Sequence, residues 1–317
     1  MSRHFLYFLK MKSVVTPHFP RIVFEKNEKL LYNPVLKKRF VNRPEERVRL
    51  RWVEYILNQT DHLKSRIGFE LPVALPQKEN QLRADLILYT RDMKPLALIE
   101  CKAPSVRLSQ SVAEQAARYN TAVGAPYICL TNGITDFWFK TDSEKQHSSE
   151  SPLNEIASPD ELNILRDSAW WASRGFLSDE SATPLNKRLV EIMNYAMSLD
   201  EELDIRYLNF KDSPLPYGLN HYFALLRMDA EYKLAITIMG KEGEDPILAA
   251  ILNRAGKNEG LLIINLTKCS MQEADSGHLL VAGDESVFPA HNKLPIFTHR
   301  FNPSIVDNLP AFLMRFF

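Results

Sequence analysis

Glu100 and Lys102 stand two residues apart in the run Leu98-Ile-Glu-Cys-Lys-Ala-Pro104, apolar before the charges and stopped by Pro104. Such a run reads as a strand. Alternate strand side chains share a face, so the acid and the amine point the same way while Cys101 points to the other. Two charges near the end of an apolar strand are costly unless something pairs with them or uses them. Fifteen residues earlier a second acid, Asp85, opens another apolar run, Ala84-Asp-Leu-Ile-Leu-Tyr89. If the two runs pair as a hairpin through Thr90-Arg-Asp-Met-Lys-Pro95, two carboxylates and one ammonium converge. That set suits a divalent metal beside a phosphate.

Phosphodiester hydrolysis needs a nucleophilic water, neutralisation of charge on the phosphate and help for the leaving oxygen. Hard Mg²⁺ prefers oxygen ligands and keeps several waters, so one or two protein carboxylates are enough, here Asp85 and Glu100. A metal held there would make its water more acidic and polarise a phosphoryl oxygen. Lys102, a compact point charge, could orient the water or stabilise developing negative charge. The alternative is a Glu–Lys ion pair that merely holds two strands together, because Glu-x-Lys alone is a weak signal.

Several elements must position these residues. Arg21 to Val41 mixes apolar and charged residues around turn-like Lys26-Asn27 and Asn33-Pro34, which reads as short strands or an irregular arm. Asn42-Arg-Pro-Glu-Glu46 predicts a helix start: Asn as a cap, Pro in the first turn, and acids where the helix dipole favours them. Val48, Leu50, Trp52, Val53, Ile56 and Leu57 carry the helix to about Asn58, with Arg47, Arg49 and Arg51 along its early turns. Ile67–Leu75 reads as a strand in which Pro72 marks an edge or a bulge. Leu108–Asn120 reads as a helix ended by Gly124. Tyr127–Thr131 reads as a buried strand, joined by an Asn132-Gly133 turn to Asp136–Lys140.

The net charge of zero hides a split. Residues 1–140 hold 23 Lys and Arg against 13 Asp and Glu, a balance of +10, and the remaining 16 basic and 26 acidic residues leave −10. A basic half that carries the carboxylate cluster can meet nucleic acid, although two solvated charged faces would give the same counts. Cys101, Cys129 and Cys269 lack metal-type spacing and favour a reduced, cytoplasmic setting without disulfides. No apolar stretch approaches the length of a membrane span. The first ten residues are apolar but short and have no small-residue cleavage site, so they do not read as a signal peptide. Met11 could equally be the start, and those ten residues are expected to be dispensable.

Residues 142–159 are polar and predict a linker, with an N-terminal arm at 1–20 and the site-bearing domain at 21–141. Residues 160–317 then form a second, mixed α/β domain of unassigned role. Within it, Asp160–Arg174 and Pro184–Leu199 read as helices, and Tyr222–Met228, Tyr232–Met239 and Gly260–Leu266 as strands. His221, His278, His291 and His299 have neither ligand spacing nor an obvious carboxylate partner, and read as surface or hydrogen-bonded core residues.

Five motifs fall in order along residues 20–140: Arg43-Pro-Glu-Glu-Arg-Val-Arg49, Arg83-Ala-Asp85, Ile99-Glu-Cys-Lys-Ala-Pro104, Gln115-Ala-Ala-Arg-Tyr119 and Thr131-Asn-Gly133. Together they resemble the N-terminal nuclease domain of type I restriction enzyme R proteins, within the PD-(D/E)XK, or restriction-endonuclease-like, superfamily. The resemblance implies an α/β fold with a mixed sheet flanked by helices, and DNA cleavage dependent on Mg²⁺ or Mn²⁺. Asp85 and Glu100 match its metal-binding acids, Lys102 its catalytic lysine, and Glu46 (or Glu45) the acid on its first helix. Gln115 and Tyr119 match its Gln-x-x-x-Tyr motif. Four apart on one helical face, they could position DNA near the metal or simply pack the helix.

Two departures matter. Ala84 stands in place of the signature proline, a common variation. The chain also has no Gly-x-x-x-x-Gly-Lys-[Ser/Thr] loop, so the translocating motor joined to this domain in full R proteins is missing from it. Classical restriction therefore does not follow from this chain alone. The expected activity is a stand-alone DNA nuclease of restriction or repair type, with DNA as partner, a homodimer left open and no membrane association. The rival is a nuclease-derived module that binds DNA or protein and cuts weakly or not at all.

Overall fold

The structure, a computed structural model, describes residues 9–26, 28–73, 82–141, 146–148, 166–197, 204–210, 218–297 and 308–317. The chain divides into two compact units, Met1–Ile164 and Leu165–Phe317. The expected linker lies largely outside the described residues, as do the first eight residues.

The first unit is built around helix α1, Pro44–Gln59. Pro44 opens it, and Glu45 and Glu46 occupy its first turn, where exposed N–H groups favour acids. Asn42 does not cap the helix. The cap position is Arg43, without a side-chain bond, and Asn42 Oδ1 instead accepts from Arg47 Nη1 at 2.8 Å. Val48, Leu50, Trp52, Val53 and Ile56 are buried, and so are the charged Glu46, Arg49, Arg51 and Glu54. The helix is thus enclosed on nearly every side, and its buried charges require internal partners. Arg51 finds them in main-chain carbonyls: it donates to Val15, Thr16, His18 and Gly133 and ties the segment before the first small sheet to the turn after β8 (Tyr127–Thr131).

That helix packs on a mixed sheet. Its other strands are β1 (Leu9–Lys12), β5 (Ile67–Val73), β6 (Leu82–Tyr89), β7 (Pro95–Cys101), β9 (Thr135–Thr141) and β10 (Gln146–Ser148). The order is β1-β9-β8-β7-β6-β5, with β10 also on β9. β7 and β8 are parallel and are joined through helix α2 (Gln110–Val123), while every other pair is antiparallel. β5 is an edge strand, which explains how it accommodates Pro72. α2 ends as expected at Gly124, whose φ of +72° is left-handed and whose N–H returns to Asn120. The Asn132-Gly133 turn also forms, with Asn132 Oδ1 accepting from the N–H groups of Ile134 and Thr135. β2 (Arg21–Glu25), β3 (Glu28–Asn33) and β4 (Lys38–Val41) make a separate antiparallel sheet.

The core of this unit joins Trp52, Val53 and Ile56 of α1 to Leu86, Leu88, Ala97, Ile99, Cys129 and Trp138 of the sheet. Trp52 and Trp138 meet edge to face with ring centroids 6.0 Å apart.

The second unit combines helices with one seven-stranded sheet, antiparallel throughout and ordered as the chain runs. Its strands are β11 (Asp204–Phe210), β12 (Leu219–Arg227), β13 (Tyr232–Met239), β14 (Ile247–Arg254), β15 (Lys257–Asn265), β16 (Gly277–Val281) and β17 (Asp284–Phe288). The helices are α3 (Ser168–Ala172), α4 (Pro184–Ala196), α5 (Leu266–Ser270) and α6 (Leu309–Met314). α3 is far shorter than the expected Asp160–Arg174, whose first six residues lie outside the described ones. His221 is fully buried against Phe176, with ring centroids 4.2 Å apart. His278 differs from expectation, because the hairpin of β16 and β17 brings Glu285 against its ring. His299 lies outside the described residues.

Candidate active site

The hairpin of β6 and β7 forms through the turn after Tyr89, and its register explains the site. Leu86 pairs with Ile99, and the ladder stops there, before Asp85 and Glu100. The strands therefore part at the two acids. Asp85 takes over as a side-chain partner for the freed backbone: its Oδ2 accepts from the Cys101 N–H at 2.7 Å. Glu100 Oε1 accepts from Lys102 Nζ at 2.7 Å. Both acids are buried, and the Lys102 side chain is only 17% exposed.

The third acid arrives from α1. Glu46 is buried, and its Oε2 accepts from Arg49 Nη1 at 2.8 Å. The same guanidinium reaches Asp85 Oδ1 from Nη2 at 2.5 Å and Glu70 Oε1 from Nη1 at 2.9 Å, with Glu45 at 3.9 Å. Arg49 thus links the helix to β5 and β6. Glu70 sits opposite the gap in the ladder between Phe69–Leu86 and Leu71–Ala84, with φ of +50°. A left-handed glutamate in a strand costs on the order of 1–3 kcal/mol, a strain that the Arg49 contact offsets here.

Burial dominates the electrostatics of both Glu100 and Glu46. Burial, followed by the charge of Asp85, pushes Glu100 up to about 7 against the pull of Lys102. Burial likewise raises Glu46 to about 7, with Arg49 opposing and Glu70 and Asp85 adding repulsion. For Lys102, burial works to lower the ammonium, but the charge and hydrogen bond of Glu100 outweigh it and the net shift is upward. Lys102 is therefore a cation at neutral pH, whereas burial holds Glu100 and Glu46 well above the usual carboxylate range.

Among the described residues, no three His, Cys, Asp or Glu side chains are grouped to hold a metal ion. The acids instead surround Arg49. Two observations still fit a cation. Glu46 Oε1 and Glu100 Oε2 are buried without a hydrogen-bond partner among the described residues. An orphaned buried carboxylate oxygen costs about 1–3 kcal/mol or more, which an incoming cation would relieve. Two carboxylates with waters also satisfy Mg²⁺.

Gln115 and Tyr119 are brought to each other: Gln115 Nε2 donates to the Tyr119 hydroxyl at 2.7 Å. The Tyr119 ring packs on Ala84, Ile87 and Leu98, next in sequence to Asp85 and two residues before Glu100. No hydrogen bond joins either residue to Asp85, Glu100 or Lys102 among the described residues.

Sequence reasoning missed Arg49 and Glu70. Arg49 had a readable signal, since it stands three and four residues after Glu46 and Glu45 on one helix face. Nothing in the order of residues marks the turned backbone of Glu70.

No helix among the described residues is long and apolar enough to cross a membrane. No curated protein and no solved structure matches the chain. Residues 44–156, which span α1, the parted ends of β6 and β7, α2 and the following hairpin, match the family model of the type I restriction enzyme R protein N terminus, the family that the motifs resemble.

Proposed function

We propose that this protein is a metal-dependent DNA nuclease whose active site is Asp85, Glu100 and Lys102. The observation that carries the reading is the parting of β6 and β7 at the two acids, with Lys102 already held on Glu100. Asp85 and Glu100 would hold Mg²⁺ or Mn²⁺, with Glu46 as the third acid across the Arg49 guanidinium. When bound, the cation supplies polarisation of a phosphoryl oxygen and a more acidic water. Lys102 keeps its proton and stabilises negative charge as it develops on the phosphate. Glu100 fixes the position of that ammonium through its Oε1, leaving Oε2 for the cation.

The basic balance of residues 1–140 supports a polyanionic substrate. Lys37, Lys38 and Arg43 are exposed on the approach to the N-terminus of α1, the helix that carries Glu46 and Arg49. Gln115 and Tyr119 would help to place the strand, since their helix packs against the strands that carry the acids. Buried free cysteines accord with work in a reducing, cytoplasmic setting.

The test is incubation with single- and double-stranded DNA, with and without Mg²⁺ or Mn²⁺. Degradation that needs the metal supports the reading. Tight DNA binding without scission under every metal condition supports the rival, a nuclease fold kept for binding.

A further inference from the structure

Both oxygens of Asp85 are already engaged, one with the main chain and one with a side-chain cation. Its Oδ2 accepts from the Cys101 N–H and its Oδ1 from Arg49 Nη2. Glu46 and Glu100 each keep one buried oxygen without a partner among the described residues. A cation that is to use all three acids finds one of them already occupied by a cation of the protein. The Arg49 side chain is 8% exposed and contacts Glu45, Glu46, Glu70 and Asp85.

From this arrangement we infer that Arg49 is the resident counter-cation of the carboxylate centre, and that a divalent metal enters by displacing its guanidinium from Asp85 Oδ1. The inference rests on the metal-centre reading above and adds the event that must precede loading.

The chemistry of arginine decides how Asp85 Oδ1 can be uncovered. A guanidinium does not deprotonate in proteins, so it cannot leave a carboxylate by losing charge and must move. It can move without becoming an unpaired buried cation, because Glu46, Glu70 and the half-exposed Glu45 remain within its reach. The incoming metal then replaces its charge at Asp85. Before loading, Arg49 prevents the mutual repulsion of acids that no other described cation except Lys102 approaches. A guanidinium that stays on Asp85 when metal binds would act through its charge alone, and Arg49→Lys, which keeps that charge, would then bind metal no tighter than wild type.

The test is Mn²⁺ binding to the full chain without DNA, measured by electron paramagnetic resonance of the free ion, for wild type, Arg49→Gln and Arg49→Lys. Thermal melting with and without Mn²⁺ is recorded on the same proteins. Displacement predicts that Arg49→Gln binds Mn²⁺ about tenfold tighter or more, and that Mn²⁺ raises its melting temperature by more than in wild type. Arg49→Lys, a single point charge in place of a fork, falls between the two. If Arg49→Gln does not fold, Arg49→Lys carries the same test, and tighter binding than wild type supports displacement. Binding by the variants that is equal to or weaker than wild type overturns the inference and leaves the nuclease reading standing. If neither wild type nor variant binds Mn²⁺, the metal-centre reading falls and this inference with it.

Discussion

Arg49 reaches Asp85 at 2.5 Å across the space between α1 and β6, and that bond is the point where helix and sheet meet at the candidate site. The acid that should hold a metal is therefore already organised by charge. Around it, Glu46 and Glu100 are each raised to about 7 by burial, and each keeps an oxygen without a hydrogen-bond partner among the described residues. Such a centre is costly as it stands, because each of those oxygens has lost water without gaining a partner among the described residues.

Lys102→Ala separates catalytic from structural service. Stranding a buried charge typically costs about 3–5 kcal/mol. Burial already pushes Glu100 up, and removing Lys102 takes away the charge that pulls it back, so it can take a proton instead and the loss of stability should be much smaller. The cleavage rate should fall on the order of 10²–10³-fold, with DNA binding retained. Melting temperature and cleavage rate on the same protein decide. A variant that melts far below wild type while its folded fraction still cuts DNA would sink the catalytic role.

Asp136 gives a stability prediction away from the site. Burial pushes it up to about 6, although hydrogen bonds from Thr131 and the Val14 N–H and the charge of Arg51 pull it back. Its folded value lies above its unfolded one, so its contribution is fully present below about 4. That contribution is lost as pH rises through about 6, a change of about 3 kcal/mol. Urea unfolding of wild type against Asp136→Asn between pH 4 and 7 should show this slope in wild type and its loss in the variant. Parallel curves would contradict it.

The order of elements from α1 to β9 is legible because each has a local cause: Pro44 and two acids start α1, Gly124 stops α2, and Asn132-Gly133 turns the chain. Asp85, Glu100 and Lys102 are legible because period-2 spacing fixes which strand residues can converge. The spacing of Arg49 from Glu45 and Glu46 is legible, but its bond to Asp85 is not, because an arginine on an amphipathic helix ordinarily lies on the solvated face, and only the enclosure of α1 turns it inward. In the second unit, β14 begins Ile247-Leu-Ala-Ala-Ile-Leu252, buried at every position. A strand covered on both faces shows no alternation, and its period alone does not separate it from a buried stretch of helix.

Tyr119→Phe distinguishes packing from DNA positioning. The ring contacts with Ala84, Ile87 and Leu98 survive, and only the Gln115 hydrogen bond is lost. Stability should drop by about 0.5–1.5 kcal/mol. If the hydroxyl and Gln115 place the DNA strand, the KM for DNA rises in the folded variant in addition to that small loss of stability. A KM unchanged in both Tyr119→Phe and Gln115→Ala would assign the pair to packing.

The charge inversion and polar composition between about Thr141 and Pro159 predict that limited proteolysis cuts there first. Two protected fragments should result, the N-terminal one retaining metal-dependent stabilisation. First cuts confined to other segments would contradict a boundary at that place.

The central claim is that Asp85 and Glu100 make this chain a metal-dependent nuclease. Its most direct measurement is the rate of DNA scission with Mg²⁺ or Mn²⁺ by wild type, Asp85→Asn and Glu100→Gln, each variant first shown by its melting curve to be folded. The account predicts scission by wild type only with metal, and a fall of at least about 10²-fold in both variants, the scale on which removal of a transition-state contact acts. Scission that persists in the folded variants, or that proceeds without a divalent cation, would contradict it.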